Sequence, residues 1–199
     1  MKINALLSMA KKRKNCSIFY DPYSERKWMQ LGGNLYPLDG MPYLDKETLL
    51  IMMDVPEDKR DEYWIECQNL PERLKPLVVD NAEGDKPARR AYMTITPFAE
   101  ELYPVYTDEE KSELILTPVI SYKPIADEAE EYTLFSRVAN GETWILAKKG
   151  FELIAVIGRV VVHDEQTQKT LQDVLAHIRA DAERIQAEEA ARDGEQQHI

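Results

Sequence analysis

The side chains best suited to metal binding or catalysis lie at the end of a predicted strand, in the run His163-Asp164-Glu165. An imidazole beside two carboxylates is suited to binding a divalent metal ion or to acid–base catalysis. A metal site needs three or four converging ligands, however, and neither His177 nor His198 has a spacing that points back to this run. The pattern therefore favours a solvated cap, and a metal-dependent enzyme using His163 and nearby carboxylates stays an alternative.

Two tripeptides, Glu25-x-Lys27 and Glu109-x-Lys111, match half of a nuclease metal site. Such tripeptides arise by chance in a chain that is 31% charged, and neither follows a positioned aspartate on a clear strand. The pair Gly32-Gly33 lacks the later Gly, Lys and Ser/Thr of a phosphate-binding loop. These patterns do not indicate phosphoryl-transfer or nuclease chemistry.

The chain has two cysteines, which are too few for a disulfide framework, and we expect free thiols in a reducing cytoplasm. Cys67 alternates with Tyr63 and Ile65 on a strand predicted over 62–69, so we expect a buried, unreactive thiol. Cys16 follows four cations, which lower the pKa of its thiol if it is exposed. We therefore predict a protein that is not an enzyme, with no catalytic residue, no cofactor and no metal.

Charge is distributed unevenly along the chain. Residues 1–30 carry a balance of +5, so residues 31–199 carry −16 within a net charge of −11. A pI near 4.9 argues against general coating of nucleic acid, which needs a basic face. Direct phosphate contact is restricted to a basic head beside Trp28, whose cations also suit a helix C-terminus: Lys11, Lys12, Arg13, Lys14, Arg26 and Lys27.

Residues 100–131 form an acidic belt with ten acids against two lysines, a balance of −8. Its candidate partner-binding carboxylates are Glu100, Glu101, Asp108, Glu109, Glu110, Glu113, Asp127, Glu128, Glu130 and Glu131. Carboxylates spaced over a rigid sheet can imitate a phosphate backbone and occupy a nucleic-acid-binding cleft, with strongly salt-dependent affinity. The alternative is a solvated face that protects an edge strand from aggregation.

The helices and strands that would position these side chains form, by prediction, an α+β fold with an antiparallel sheet. Apolar spacing predicts a short helix over 3–14 and a core helix near 45–55, which Asp45 caps. Short strands are predicted at 16–20, 28–31 and 35–38, with a tight turn at Gly32-Gly33-Asn34. Proline and glycine over 70–90 predict a long loop or boundary, before strands at 92–96 and, at an edge because of Pro118, 114–120.

The strongest local signal is Asn140-Gly141, which stands between alternating runs at 132–138 and 143–148. This pattern is typical of a tight hairpin. Gly150 then turns the chain into 151–162, whose Ile and Val content predicts the central strand of the sheet. We therefore predict a three-stranded unit over 132–162.

A long C-terminal helix is predicted from 167 to about 191, with a narrow apolar stripe. The stripe either docks on the protein's own sheet or pairs with a second copy, so monomer and homodimer both stay open. Three segments follow from these patterns: an α+β subdomain at 1–90, a β subdomain at 91–166, and a helix with a polar tail at 167–199. The candidate self-association residues are Leu171, Val174, Leu175, Ile178 and Ile185.

The segments Tyr36-Pro37-Leu38-Asp39-Gly40-Met41-Pro42 and Trp144-Ile145-Leu146-Ala147-Lys148-Lys149-Gly150-Phe151 are similar to parts of uncharacterised bacteriophage and prophage proteins. The likeness covers less than a tenth of the chain and carries no known activity. It implies an accessory protein that a phage encodes and that is made in a bacterial cytoplasm. No functional residue comes with it.

Together these patterns predict a non-enzymatic protein-binding accessory module in the cytoplasm, encoded by a phage or mobile element. Its partner is a host or phage protein of unknown identity. A specific form is an acidic nucleic-acid mimic that inhibits a host nucleic-acid-binding enzyme, such as a CRISPR effector. The alternative is a phage structural or assembly protein that acts by self-association. No membrane contact is expected, because no apolar run approaches the ~20 residues that a span requires.

Overall fold

A computed structural model describes residues 2–42, 44–91, 93–96, 100–107, 114–126, 132–161, 167, 169–178, 180 and 184. Over these residues the chain has the predicted mixed α+β fold, with one ten-stranded sheet. The chain divides into two compact units, Met1–Arg159 and Val160–Ile199. None of the described helices is long and apolar enough to cross a membrane.

The described strands all lie in the first unit, and their order in the sheet is β4-β1-β2-β3-β10-β9-β8-β5-β6-β7. Every neighbouring pair is antiparallel except β1 and β4, which are parallel, so the antiparallel prediction fails at that edge. The strands are β1 (Asn15–Tyr20), β2 (Lys27–Leu31), β3 (Asn34–Pro37), β4 (Trp64–Asn69), β5 (Lys86–Arg90), β6 (Leu102–Tyr106), β7 (Leu114–Pro118), β8 (Thr133–Ala139), β9 (Glu142–Lys149) and β10 (Glu152–Ile157).

Two α-helices of the first unit begin where the sequence signals predict, but the second ends at Met52, short of the predicted 55. Helix α1 spans Ile3–Arg13 and ends at Lys14, whose left-handed backbone lets its N–H bond the carbonyl of Ala10. Helix α2 spans Lys46–Met52 and begins at Asp45, whose carboxylate accepts a hydrogen bond from the N–H of Thr48. Three 3-10 helices span Glu57–Glu62, Glu72–Leu77 and Val119–Tyr122.

The three-stranded unit β8-β9-β10 is present as the local signals predict. Asn140 and Gly141 both adopt positive φ, 54° and 77°, as the tight turn between β8 and β9 requires. Strand β10 is fifth in the order of ten, a central position, but it ends at Ile157, short of the predicted 162. The next residue, Gly158, gives its N–H to the side chain of Asn34.

Residues 70–90 are not the loop that proline and glycine predict. They contain the 3-10 helix Glu72–Leu77 and strand β5, which pairs with β8 on one side and β6 on the other. The strand predicted at 92–96 is wrong, since its described part forms only an isolated bridge between Ile95 and Leu102. Strand β6, which lies inside the acidic belt, has no counterpart among the predicted strands.

Hydrophobic clusters cover both faces of the sheet. The first joins Leu6 of α1 and Leu49 of α2 to sheet residues such as Met29 and Ile157. The second packs Trp28 and Val156, among others, against Leu70, Leu74, Leu77 and Val78. The segment that looks like a loop in the sequence therefore closes one face of the sheet, because it contributes four buried aliphatic side chains.

A buried ion cluster fixes the end of this covering segment. Asp85 accepts hydrogen bonds from Arg137 at 2.6 Å through both carboxylate oxygens, and from Lys148 at 2.7 Å. Arg137 also donates to the carbonyls of Pro76 and Val79 at 2.9 Å. Both cationic side chains lie within β8 and β9 and are 3% to 4% exposed. The cluster therefore joins the covering segment to the hairpin.

Gly158 approaches Gly33 so closely that a side chain has no room between them. A Cβ at position 158 would lie 2.7 Å from the carbonyl oxygen of Gly33, and that obstacle is backbone. We expect Gly158→Ala to lower the free energy of unfolding by about 2 kcal/mol, because the strands must separate locally. Chemical denaturation measures this loss. In the matched control Gly84→Ala the site is open, and the change is expected within about 0.5 kcal/mol. Equal stability of both variants would refute the close contact.

Candidate protein-binding edge

The basic head is largely engaged by contacts of the fold itself. At the end of α1, Lys11 donates to the carbonyl of Asp54 at 2.8 Å, and Lys14 forms an ion pair with Glu62. The guanidinium of Arg13 lies against Gly32, and Lys12 is exposed. These contacts tie α1 to the segment that follows α2.

The two remaining cations of the head also have partners. Arg26 forms ion pairs with Asp39 and Asp80, both at 2.8 Å, and the two carboxylates hold the pKa of its guanidinium above the usual value despite partial burial. Lys27 donates to the carbonyl of Met41 at 2.9 Å. A phosphate would have to compete with these partners for most of the cations of the basic head. Phosphate binding by the head therefore stays a prediction.

Most of the candidate carboxylates of the acidic belt lie outside the described residues. Glu100 and Glu101 are described and exposed. The other eight candidates, Asp108, Glu109, Glu110, Glu113, Asp127, Glu128, Glu130 and Glu131, lie outside the described ranges. Partner binding by the belt therefore stays a prediction.

Of the candidate self-association residues in the C-terminal helix, some are described and one is not. Residues 169–178 are helical, as expected, and within them Leu171 and Ile178 are buried while Val174 is 37% exposed. Leu175 is half-buried, and Ile185 lies outside the described residues, as does His163. Within the described ranges, no group of three or more His, Cys, Asp or Glu side chains is placed to hold a metal ion.

Strand β4 lies at one end of the sheet, and most of its side chains are exposed. Its single strand neighbour in the described chain is β1, and the register runs without a bulge from Asn15 beside Trp64 to Tyr20 beside Asn69. The N–H of Trp64 donates to the backbone carbonyl of Lys14, and the N–H of Leu70 donates to that of Tyr20, both at 2.8 Å. Along a strand, the N–H and C=O groups of successive residues point alternately toward and away from the neighbouring strand. Those of Ile65, Cys67 and Asn69 therefore point away from β1.

Of the features that protect sheet edges, strand β4 has one charged side chain, Glu66, and neither a proline nor a bulge. It contains no proline, lysine or glycine, four of its last five side chains are exposed, and Trp64 is 66% exposed. The opposite edge strand, β7, ends in Pro118 and pairs with β6, which contains Pro104. Because unprotected edges pair readily with other extended chains, the two edges of this sheet are not equivalent.

A cleft of about 330 Å³ opens beside β4. Ile18 and Leu44 give it an apolar floor, and the thiol of Cys67 lies 3.7 Å from the carbonyl of Leu44. The cleft can hold one apolar or amide side chain, since its walls combine apolar and hydrogen-bonding groups with one charged residue, Lys27. Its lining residues are Ile18, Tyr20, Lys27, Leu44, Cys67, Gln68 and Asn69.

The expectation of a buried Cys67 thiol is wrong. Cys67 is exposed, because β4 is an edge strand with no described strand beyond it, whereas Cys16 on β1 is 3% exposed. Burial raises the pKa of the Cys16 thiol to about 11, and partial desolvation raises that of Cys67 above its usual value. The predicted low pKa of Cys16 applied only to an exposed thiol.

We expect N-ethylmaleimide to label one cysteine per native chain at mildly alkaline pH, and mass spectrometry to locate the label at Cys67. Cys16 should react only after unfolding, because its thiol is buried and protonated. Cys67→Ser should abolish native labelling. Preferential labelling of Cys16 would contradict this placement of β1 and β4.

Comparison with known proteins gives no family. Neither protein-family models, nor curated proteins, nor solved structures match this chain.

Proposed function

We propose that this protein is a non-enzymatic protein-binding module that takes up an extended segment of its partner at the β4 edge. The carrying observation is the unprotected edge itself: six residues in register, a single neighbouring strand among those described, and no proline or lysine. Strand addition gains affinity from main-chain hydrogen bonds, which the outward groups of Ile65, Cys67 and Asn69 supply. This interpretation requires no catalytic group.

Side chains on the two faces of β4 would select the partner sequence. Trp64 and Glu66 project on one face, where a lysine or arginine of the added strand gains a cation–π contact and an opposite charge. Cys67 and Asn69 project into the cleft on the other face, where an apolar or amide side chain fits. The partner segment is therefore an alternating one with a basic residue near Trp64. A net charge of −11 favours its approach.

A second candidate is the acidic nucleic-acid mimic that inhibits a nucleic-acid-binding enzyme in the bacterial cytoplasm. Two observations favour it: residues 31–199 carry −16, and the cations of the basic head largely bind groups of the fold itself. Its affinity would come from the belt and would fall steeply with salt.

Capture from nuclease-treated bacterial lysate distinguishes the two. The tagged protein is compared with Cys67→Pro, which blocks the free edge without removing a hydrogen bond to β1, and with Cys67→Ser as its control. Strand addition predicts a partner that survives a high-salt wash and is lost only with proline. Mimicry predicts a partner that salt or added DNA displaces, and that is lost when Glu109, Glu110, Glu128 and Glu130 are changed to Lys. Capture equal in all variants would refute both.

A further inference from the structure

Arg90, the last residue of β5, sits among three tyrosine rings of the first unit. Its guanidinium carbon lies 5.0 Å from the ring centre of Tyr103, 5.2 Å from that of Tyr122 and 5.5 Å from that of Tyr132. The rings come from β6, from the 3-10 helix after β7 and from the residue before β8. The sheet register brings them together, because β5 lies between β6 and β8.

The rings are themselves held in place. Tyr103 and Tyr122 meet edge to face with centres 5.4 Å apart, and the hydroxyl of Tyr122 lies 2.9 Å from the hydroxyl of Thr117. Tyr122 is 3% exposed, while Arg90, Tyr103 and Tyr132 are half-buried. The guanidinium therefore sits in a partly desolvated site whose walls are packed before any ligand arrives.

Arg90 differs from the other arginines of the interior in its hydrogen bonds. Arg26 binds Asp39 and Asp80, and Arg137 binds Asp85. For Arg90, the ring contacts are its side-chain interactions with the described part of the chain, and no described carboxylate or carbonyl accepts from it. Aromatic faces stabilise a cation but cannot accept the five in-plane N–H groups of a guanidinium.

We infer that Arg90 is the anchor of an oxyanion site, which takes a carboxylate or a phosphate group. Two coplanar oxygens match the N–H fork of a guanidinium, and tyrosine rings stacked on its faces fix the direction of that fork. Partial burial makes such a pair stronger than one on an open surface. The site is separate from the β4 edge, since β5 and β4 lie at different positions of the sheet.

The test is a titration followed by the side-chain Nε–Hε resonance of Arg90. Sodium phosphate and sodium acetate are added separately, at ionic strength held constant with sodium chloride. A saturable shift with a Kd of about 1 mM is expected for at least one of them. Saturation by phosphate alone assigns a phosphate ligand, and saturation by acetate assigns a carboxylate; either supports the site.

Matched variants check that Arg90 is responsible. Arg90→Lys keeps the charge but loses the fork, so it should weaken binding by about tenfold. Arg89→Lys changes the neighbouring side chain, which alternation places on the other face of β5, and should bind as the native protein does. If Arg90→Lys does not fold, the wild-type titration still decides. A shift that stays linear with either anion, or equal weakening in both variants, would overturn the site.

Discussion

Replacing Asp85 with alanine is expected to lower the free energy of unfolding by about 4 kcal/mol, since it leaves buried cations without their counter-charge. The carboxylate bonds Arg137 at 2.6 Å and Lys148 at 2.7 Å, and both cationic side chains are nearly inaccessible to water. Arg137 also bonds two carbonyl groups of the segment that covers one face of the sheet. Urea unfolding followed by tryptophan fluorescence measures the loss.

Asp39→Ala is the matched control, because it also removes a carboxylate from an arginine. Asp39 is 41% exposed, and Arg26 keeps Asp80 as a second partner. We expect a loss of no more than about 1 kcal/mol. A similar loss in both variants would show that the Asp85 cluster is not buried in solution.

The Asp85 cluster also predicts a pH dependence. Burial alone would raise the pKa of Asp85, but hydrogen bonds from Arg137 and Lys148 outweigh burial and hold the pKa below its usual value. The carboxylate therefore stabilises the fold above the unfolded-state pKa of about 3.9, and this contribution is lost as pH falls through the lower folded-state pKa. The stability difference between wild type and Asp85→Ala should narrow over that acid range and stay constant near neutrality.

Trp28→Ala is expected to cost about 4 kcal/mol, because it leaves a large cavity in the second hydrophobic cluster. Trp28 is fully buried, and Arg26 stacks on its ring at 5.0 Å. Its indole N–H is buried without a hydrogen-bond partner in the described structure. Trp28→Phe should therefore cost much less, no more than about 1.5 kcal/mol, since it keeps a ring and removes an unsatisfied donor.

Trp64→Ala serves as the control for tryptophan removal. Its side chain is 66% exposed at the start of β4, so the expected change is within about 0.5 kcal/mol. Denaturant unfolding followed by circular dichroism avoids the loss of the fluorescent reporter. If Trp28→Phe proved as costly as Trp28→Ala, the indole N–H would have to be satisfied in solution.

The sequence predicts well where the signal is local. Asn140-Gly141 specifies its turn through backbone conformation alone, and Asp45 caps α2 through a bond to a residue three positions later. The segment over 70–90 shows the opposite case. Its prolines mark short elements, but its role depends on Asp85 meeting Arg137, which is 52 residues away. No local sequence pattern predicts a contact between residues so far apart in the chain.

The position of β4 at an edge could not be predicted from the sequence for a related reason. Alternation of Tyr63, Ile65 and Cys67 is the same for a buried strand and an edge strand, because it reports the face and not the number of neighbours. The polar residues Glu66 and Gln68 were the available hint. Charges in the basic head were visible in the sequence, but their partners, such as Asp80 for Arg26, become apparent only in the folded chain.

Amide hydrogen exchange along β4 tests the binding edge most directly. In the free protein, the N–H groups of Glu66 and Gln68 should be protected by β1, while those of Ile65, Cys67 and Asn69 should exchange rapidly. With the partner recovered by capture, the latter three should become protected, as strand addition requires. Protection of all five in the free protein, or unchanged exchange in the complex, would contradict the proposal that β4 receives a partner strand.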